Sequence, residues 1–193
     1  MGDVRLMVTI REPAARAFSS YLYMLKHGAV TGTFQEVLQS RPSILNPSRY
    51  ATHLNRYLDY FDRSLIYCGV FDVLAEDPQR FLDPLLDWLD VDPMRLDEHL
   101  SAARLPASSA RSTVVARLVR DTADLARRHR AARLIGHVKR SPLVHKVLYR
   151  PLDESTPRMS RDDAERVRES LESEIAQVEA TFGLDLRRRW GWV

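Results

Sequence analysis

Cysteine is nearly absent from this chain, in which Cys68 is the only one among 193 residues. A single cysteine excludes an internal disulfide and any metal site built from several cysteines. Long apolar runs are also absent, because no stretch approaches the roughly 20 apolar residues that a membrane helix requires. The first residues lack a basic patch followed by an apolar segment, so they do not form a recognisable secretory signal. These absences predict a cytoplasmic protein that has no membrane span and uses no metal.

The charge is distributed unevenly. The net charge is only +3, but residues 101–150 carry 12 arginines and lysines against 2 acidic residues. Residues 1–100 and 151–193 are both acidic on balance. A segment with such an excess of positive charge is expected to attract an anion, such as a nucleic acid, a nucleotide, or a sulfated or phosphorylated substrate.

The hydrophobic fraction of 45% and the charged fraction of 28% are typical of one ordinary globular domain, which we assign to residues 1–193. The patterns predict strands at 4–10 and 64–71, and helices from Pro13, at 33–38, 48–61, 77–89 (kinked or restarted at Pro84), from 115 to 125 and at 160–182. Residues 41–48, which contain two prolines, are predicted as loop. The fold class is therefore α/β, mostly helical, with a short parallel sheet. Two strands are too few for a stable sheet, so either further strands lie in the irregular stretches or an N-terminal part is missing. We favour the missing part.

One stretch carries chemistry: a strand, then Arg11-x-Pro13-x-x-Arg16-Ala-x-Ser19-x-Tyr21, then a helix. An arginine at the carboxyl end of a parallel strand faces the crevice where α/β proteins bind ligands. The start of the next helix offers free backbone N–H groups and a positive dipole end, both suited to a phosphate. The alternative is structural: Arg11 could pair with Glu12 or with a distant carboxylate.

This stretch resembles the 3′-phosphate-binding motif R-x-P-x-x-R-x-x-S-x-Y of sulfotransferases that use 3′-phosphoadenosine 5′-phosphosulfate (PAPS). Tyr50 to Phe61 is similar to a helix of that family, and Leu65 to Pro78 is similar to its next strand and turn. Residues 159–190, ending in Gly-Leu-Asp-Leu-x-x-x-Trp, resemble the terminal helix of bacterial and carbohydrate-type members. Each piece is weak alone, but together they follow the family order over nearly the whole chain.

The resemblance implies the sulfotransferase fold, which is related to the P-loop nucleotide kinases, and transfer of a sulfuryl group from PAPS to an acceptor hydroxyl. The acceptor would be a carbohydrate, a glycolipid or a small natural product. By position, Arg11 and Ser19 would contact the 3′-phosphate. The further candidates for cofactor binding are Arg16, Phe71 beside the adenine, and Lys139 and Arg140 in the basic segment.

Two family elements have no counterpart here. The phosphosulfate loop and the catalytic base precede the R-x-P motif in the family, and only ten residues precede Arg11. We therefore expect a C-terminal portion of a sulfotransferase that does not transfer sulfate at a useful rate by itself. The residues do not identify a catalytic group, and an exposed sheet edge is expected to favour association of copies.

A non-enzymatic reading remains open, in which residues 101–150 bind nucleic acid or another polyanion. Binding of single strands commonly uses aromatic side chains on which bases stack. Apart from histidine, Tyr149 is the only aromatic residue in that segment. We therefore expect a small-molecule or carbohydrate acceptor rather than a nucleic acid as the partner.

Overall fold

A computed structural model of the chain describes residues 4–97 and 157–192, together with two short strands at 108–110 and 149–151. The chain divides into two compact units. The first unit consists of residues 1–16, 45–104 and 164–193, and the second of residues 17–44 and 105–163. The arginine-rich helix predicted at 115–125 lies outside the described residues.

The predicted elements that fall on described residues appear in the predicted order, and the structure adds two short helices and two short strands that were not predicted. In chain order, the elements are β1 (Leu6–Ile10), α1 (Pro13–Lys26), α2 (Phe34–Ser40), α3 (Tyr50–Leu58), β2 (Ile66–Val70), α4 (Phe71–Glu76), α5 (Pro78–Leu89), β3 (Ser108–Ala110), β4 (Tyr149–Pro151), α6 (Arg161–Phe182) and α7 (Leu186–Arg189). Two stretches of 3₁₀ helix, Pro42–Ser48 and Arg63–Leu65, precede α3 and β2.

The sheet of the first unit consists of two parallel strands. β1 pairs with β2 in a register that runs from Leu6 opposite Ile66 to Ile10 opposite Val70. The parallel direction was predicted, because helical segments join the two strands and return the chain to the same end of the sheet. The α/β class with a short parallel sheet is therefore confirmed. In the described part of the chain, the only other strands are β3 and β4, an antiparallel pair in the second unit.

The core of the first unit forms where β1, β2, α3 and α6 pack together. Its buried side chains are Ile10, Tyr50, Ala51, Leu54, Ile66, Cys68, Val70, Ile175, Val178 and Phe182 from these elements, and Leu186 from α7. Burial raises the pKa of the Cys68 thiol to about 12, so this thiol is protonated at neutral pH. Cys68 therefore behaves as a small apolar core residue.

Arg63 holds the carboxyl end of α6 against β2. Its guanidinium donates hydrogen bonds to the carbonyl oxygens of Thr181 and Phe182 at 3.0 and 3.3 Å, and to that of Ile66 at 3.1 Å. The same group lies 4.1 Å from the centroid of the Phe182 ring. A cation at a helix C-terminus satisfies carbonyl groups that have no partner within the helix and complements the helix dipole.

The second unit is organised around three aromatic rings. Phe18 and Tyr21 of α1 pack with Phe34 of α2, at centroid separations of 5.2 to 5.6 Å. The Tyr21 hydroxyl donates to the carbonyl oxygen of Gly32 at 2.8 Å. Thr33 and the side chain of Glu36 form a capping box at the start of α2.

Two local predictions differ from the structure. Most of the predicted loop 41–48 forms a 3₁₀ helix, Pro42–Ser48. The sequence predicts a kink or a restart of the helix at Pro84, and the restart is wrong, because α5 continues through this proline. Pro84 cannot donate to the carbonyl of Arg80, but both residues are exposed, so water can hydrate that carbonyl. The helix begins at Pro78, after Asp77, whose side chain accepts from the N–H groups of Gln79 and Arg80.

Candidate functional site

The backbone of Arg11 is held by the Tyr50 hydroxyl. Arg11 directly follows β1, and its N–H donates to Tyr50 Oη at 3.2 Å, while the Tyr50 hydroxyl donates to the Arg11 carbonyl at 2.8 Å. Tyr50 lies at the start of α3 and is only 7% exposed. Burial is the main cause that raises the pKa of Tyr50, so the hydroxyl stays protonated at neutral pH. The Tyr50 side chain therefore fixes both the N–H and the carbonyl group of Arg11.

The side chain of Arg11 extends over Phe71. Its guanidinium carbon lies 5.0 Å from the centroid of the Phe71 ring, a distance typical of a cation–π contact. Phe71 directly follows β2, so the two residues come from the carboxyl ends of neighbouring parallel strands. The Nε of Arg11 is buried and has no hydrogen-bond partner among the described residues. A buried N–H donor without a partner is rare in proteins and needs an explanation.

Glu12 directly precedes α1, and its contacts contradict the expectation that the first N–H groups of this helix are all free. Its carboxylate accepts from the N–H of Ala15 at 2.5 Å, so at least one of the helix N–H groups expected to be free for a phosphate is satisfied by the protein. Glu12 is 8% exposed. It pairs with Arg168 of α6 at 3.2 Å, rather than with Arg11, and also accepts from the indole N–H of Trp192 at 3.3 Å.

Arg16 is anchored on the segment that precedes α3. Its Nε donates to the hydroxyl of Ser48, which is fully buried. Burial chiefly, and also the positive charge of Arg11, lower the pKa of Arg16. The guanidinium nevertheless remains charged at neutral pH, because arginine titrates far above it.

The charges around the strand ends do not balance. Three arginines, Arg11, Arg16 and Arg168, accompany two carboxylates, Glu12 and Asp72. Both carboxylates accept hydrogen bonds from tryptophan indoles, and Glu12 also pairs with Arg168. The excess of positive charge and the unpaired Nε of Arg11 make this end of the sheet suited to bind an anion.

The remaining predicted site residues are not part of this group. Ser19 is an exposed residue of α1 and belongs to the second unit. Lys139 and Arg140 lie outside the described residues, as does most of the basic segment 101–150. The roles assigned to these residues stay predictions.

Most of the residues that hold Arg11 in place could not be identified from the sequence patterns. Tyr50 was recognised only as part of a resembling helix, and Glu12 only as a partner that Arg11 could have. Trp192 gave one usable signal, since a tryptophan indole N–H usually finds a hydrogen-bond partner when it is buried.

Within residues 4–97 and 157–192, no three histidine, cysteine or carboxylate side chains are grouped so that they could hold a metal ion. In the same part of the chain, no helix is both long enough and apolar enough to cross a membrane.

Comparison with known proteins gives a structural match. The crystal structure of a sulfotransferase from Alicyclobacillus acidocaldarius superposes with a TM-score of 0.56 at 18% sequence identity. The match covers 94% of this chain and 55% of that chain. The chain has a sulfotransferase-like fold. No protein-family model matches the sequence, and no curated protein matches it.

The sulfotransferase-like fold agrees with the expectation drawn from the motifs. At this level of identity the likeness concerns the fold alone, since unrelated activities share folds. The chain spans only about half the length of the solved sulfotransferase. The candidate chemistry of this chain therefore lies in the residues at the ends of β1 and β2.

Proposed function

We propose that the ends of β1 and β2 bind the 3′-phosphate side of PAPS, and that the chain serves in sulfuryl transfer to an acceptor hydroxyl. The observation that carries this proposal is the buried Nε of Arg11, which has no partner in the described part of the chain. Arg11 lies at the carboxyl end of a parallel strand, where α/β folds bind nucleotides. A phosphate oxygen is the acceptor that such a guanidinium fits best.

The residues at the strand ends suit the 3′-phosphate and the adenine of PAPS. Arg11 would hold the 3′-phosphate, and a role for Ser19, which belongs to the second unit, stays a prediction from the motif resemblance. The Phe71 ring, which is 37% exposed, would pack against the adenine. When bound, PAPS supplies an activated sulfuryl group, and the acceptor is a carbohydrate, a glycolipid or a small natural product.

The contribution of Arg11 is orientation and charge. Its backbone is fixed by Tyr50 and its side chain by Phe71, so the guanidinium is positioned before a ligand arrives. A group that is already oriented loses little conformational freedom when it binds, which favours affinity. Fixing the nucleotide at its 3′ end also helps to orient the sulfuryl group for in-line transfer.

Replacing Arg11 tests the proposal directly. We expect Arg11→Ala to weaken the binding of adenosine 3′,5′-bisphosphate roughly 10- to 150-fold, the equivalent of one charge-assisted hydrogen bond. Binding of adenosine 5′-monophosphate should change little, because it lacks the group that Arg11 contacts. Isothermal titration calorimetry measures both dissociation constants.

A matched control separates this effect from the loss of one positive charge. Arg56 is an exposed arginine of α3, and Arg56→Ala changes the net charge by the same amount. Equal losses in the two variants, or equal losses for the two nucleotides, would refute the assignment. Tight, length-dependent and steeply salt-sensitive binding of oligonucleotides instead would favour the polyanion-binding reading of residues 101–150.

A further inference from the structure

Two tryptophans near the carboxyl end contact residues adjacent to the proposed anion site. The indole N–H of Trp192 donates to Glu12, which neighbours Arg11, and that of Trp190 donates to Asp72 at 2.8 Å, which neighbours Phe71. The two indole rings also pack together, with centroids 5.9 Å apart. The tail, defined as residues 186–192, thus contacts the chain next to both of the side chains that form the site.

Trp192 supplies one of the hydrogen bonds to the buried Glu12 carboxylate. Glu12 is 8% exposed, and its oxygens accept from Ala15, Arg168 and Trp192. The ring of Trp192 also lies 5.9 Å from the guanidinium carbon of Arg168. A buried carboxylate that loses one donor is left partly unsatisfied, which is costly where water cannot replace the donor.

The contact at Asp72 orients the first turn of α4. Phe71 and Asp72 are the first two residues of this helix, and Arg189 pairs with Glu76 at its end at 2.6 Å. The tail therefore holds α4 at both ends. A change in the position of its first turn moves the Phe71 ring, and with it the surface over which Arg11 lies.

We propose that Trp192 and Trp190 are positioning residues of the nucleotide site. Trp192 acts through Glu12 on the loop that carries Arg11, and Trp190 acts through Asp72 on Phe71. This inference rests on the proposed function, since it assigns different parts of the nucleotide to the two tryptophans. Loss of the Trp192 N–H impairs recognition of the 3′-phosphate, whereas loss of the Trp190 N–H impairs packing against the base.

Conservative variants test these roles. Trp192→Phe and Trp190→Phe remove the N–H donor but keep an aromatic ring. Trp88→Phe is the matched control, because the Trp88 indole also donates one hydrogen bond, to the Ser64 carbonyl at 2.8 Å, outside the proposed site. All three variants are measured well below their melting temperatures, so differences in stability do not affect the binding data.

We expect Trp192→Phe to weaken the binding of adenosine 3′,5′-bisphosphate about 3- to 10-fold, which corresponds to the loss of one hydrogen bond. The affinity for adenosine 5′-monophosphate should stay within about twofold of the wild type, because the effect reaches the nucleotide through Arg11 alone. Trp190→Phe should weaken both nucleotides by similar factors. Trp88→Phe should change neither. A Trp192→Phe variant that retains the wild-type preference for the 3′-phosphate overturns the role of Trp192, and a Trp190→Phe variant that binds both nucleotides normally overturns that of Trp190.

Amide hydrogen exchange without nucleotide gives an independent readout. The amides of Arg11, Ala15 and Arg16 are all hydrogen-bonded, and their exchange should become faster in Trp192→Phe but not in Trp88→Phe. If the wild-type chain binds neither nucleotide, the proposed function fails, and the positioning roles in nucleotide binding fail with it. Faster exchange in that case would show that Trp192 orders the Arg11 loop for another purpose, and unchanged exchange would refute even that effect.

Discussion

Replacing Tyr50 by phenylalanine measures how much its hydroxyl stabilises the fold by holding the Arg11 backbone. The hydroxyl exchanges two hydrogen bonds with the backbone of Arg11. Tyr50→Phe removes both and leaves the ring in place. At about 0.5–1.5 kcal/mol for each hydrogen bond, the expected loss of unfolding free energy is about 1–3 kcal/mol.

Tyr21→Phe is a suitable control for this measurement. Tyr21 is 1% exposed, and its hydroxyl donates one hydrogen bond, to Gly32. The same chemical change should therefore cost only about 0.5–1.5 kcal/mol in this variant. Both variants remove one oxygen from a buried tyrosine, so the number of hydrogen bonds is the main difference between them.

Urea denaturation followed by circular dichroism measures the two effects. With a slope of about 1–3 kcal/mol per molar urea, Tyr50→Phe should lower the midpoint by roughly 1 M, and Tyr21→Phe by clearly less. The slope itself should not change. A Tyr50→Phe variant as stable as Tyr21→Phe would show that the Tyr50 hydroxyl does not hold the Arg11 backbone.

Two further predictions concern the first unit. Glu179 accepts from the backbone N–H and Nε of Arg187, at 2.7 and 2.6 Å, and although burial opposes ionisation, these hydrogen bonds lower the pKa of Glu179. Because the folded pKa is depressed, the stabilisation is fully present above the unfolded value of about 4.3 and is lost as the pH falls through the folded value. Glu179→Gln should therefore be less stable than the wild type at pH 7, and thermal melts should show this difference shrinking as the pH is lowered below about 4.3. A Cβ at Gly69 would lie 2.7 Å from two ring carbons of Phe81. Gly69→Ala should therefore destabilise the fold by about 1–3 kcal/mol, as measured by urea titration. A neutral effect would contradict the close packing of β2 on α5.

Much of the fold followed from local patterns. Pro13 begins α1 as predicted, and Gly183, with a φ of 66°, follows the end of α6 in a conformation that glycine adopts at little cost. Ser160 caps α6, where its hydroxyl accepts from the N–H of Asp163 at 3.1 Å. Each of these signals depends on residues within a few positions of one another, which is why the sequence reveals them.

The end of β1 shows where the sequence is sufficient and where it is not. The position of Arg11 directly after a parallel strand could be predicted from the strand pattern and the helix that follows, because both are local features of residues 4–26. The partners of its loop could not: Tyr50 is 39 residues from Arg11, while Arg168 and Trp192 are 156 and 180 residues from Glu12. Only the packing of α3, α6 and the tail against the sheet brings these groups within hydrogen-bonding distance, and side chains separated so far along a chain leave no periodic pattern in its sequence.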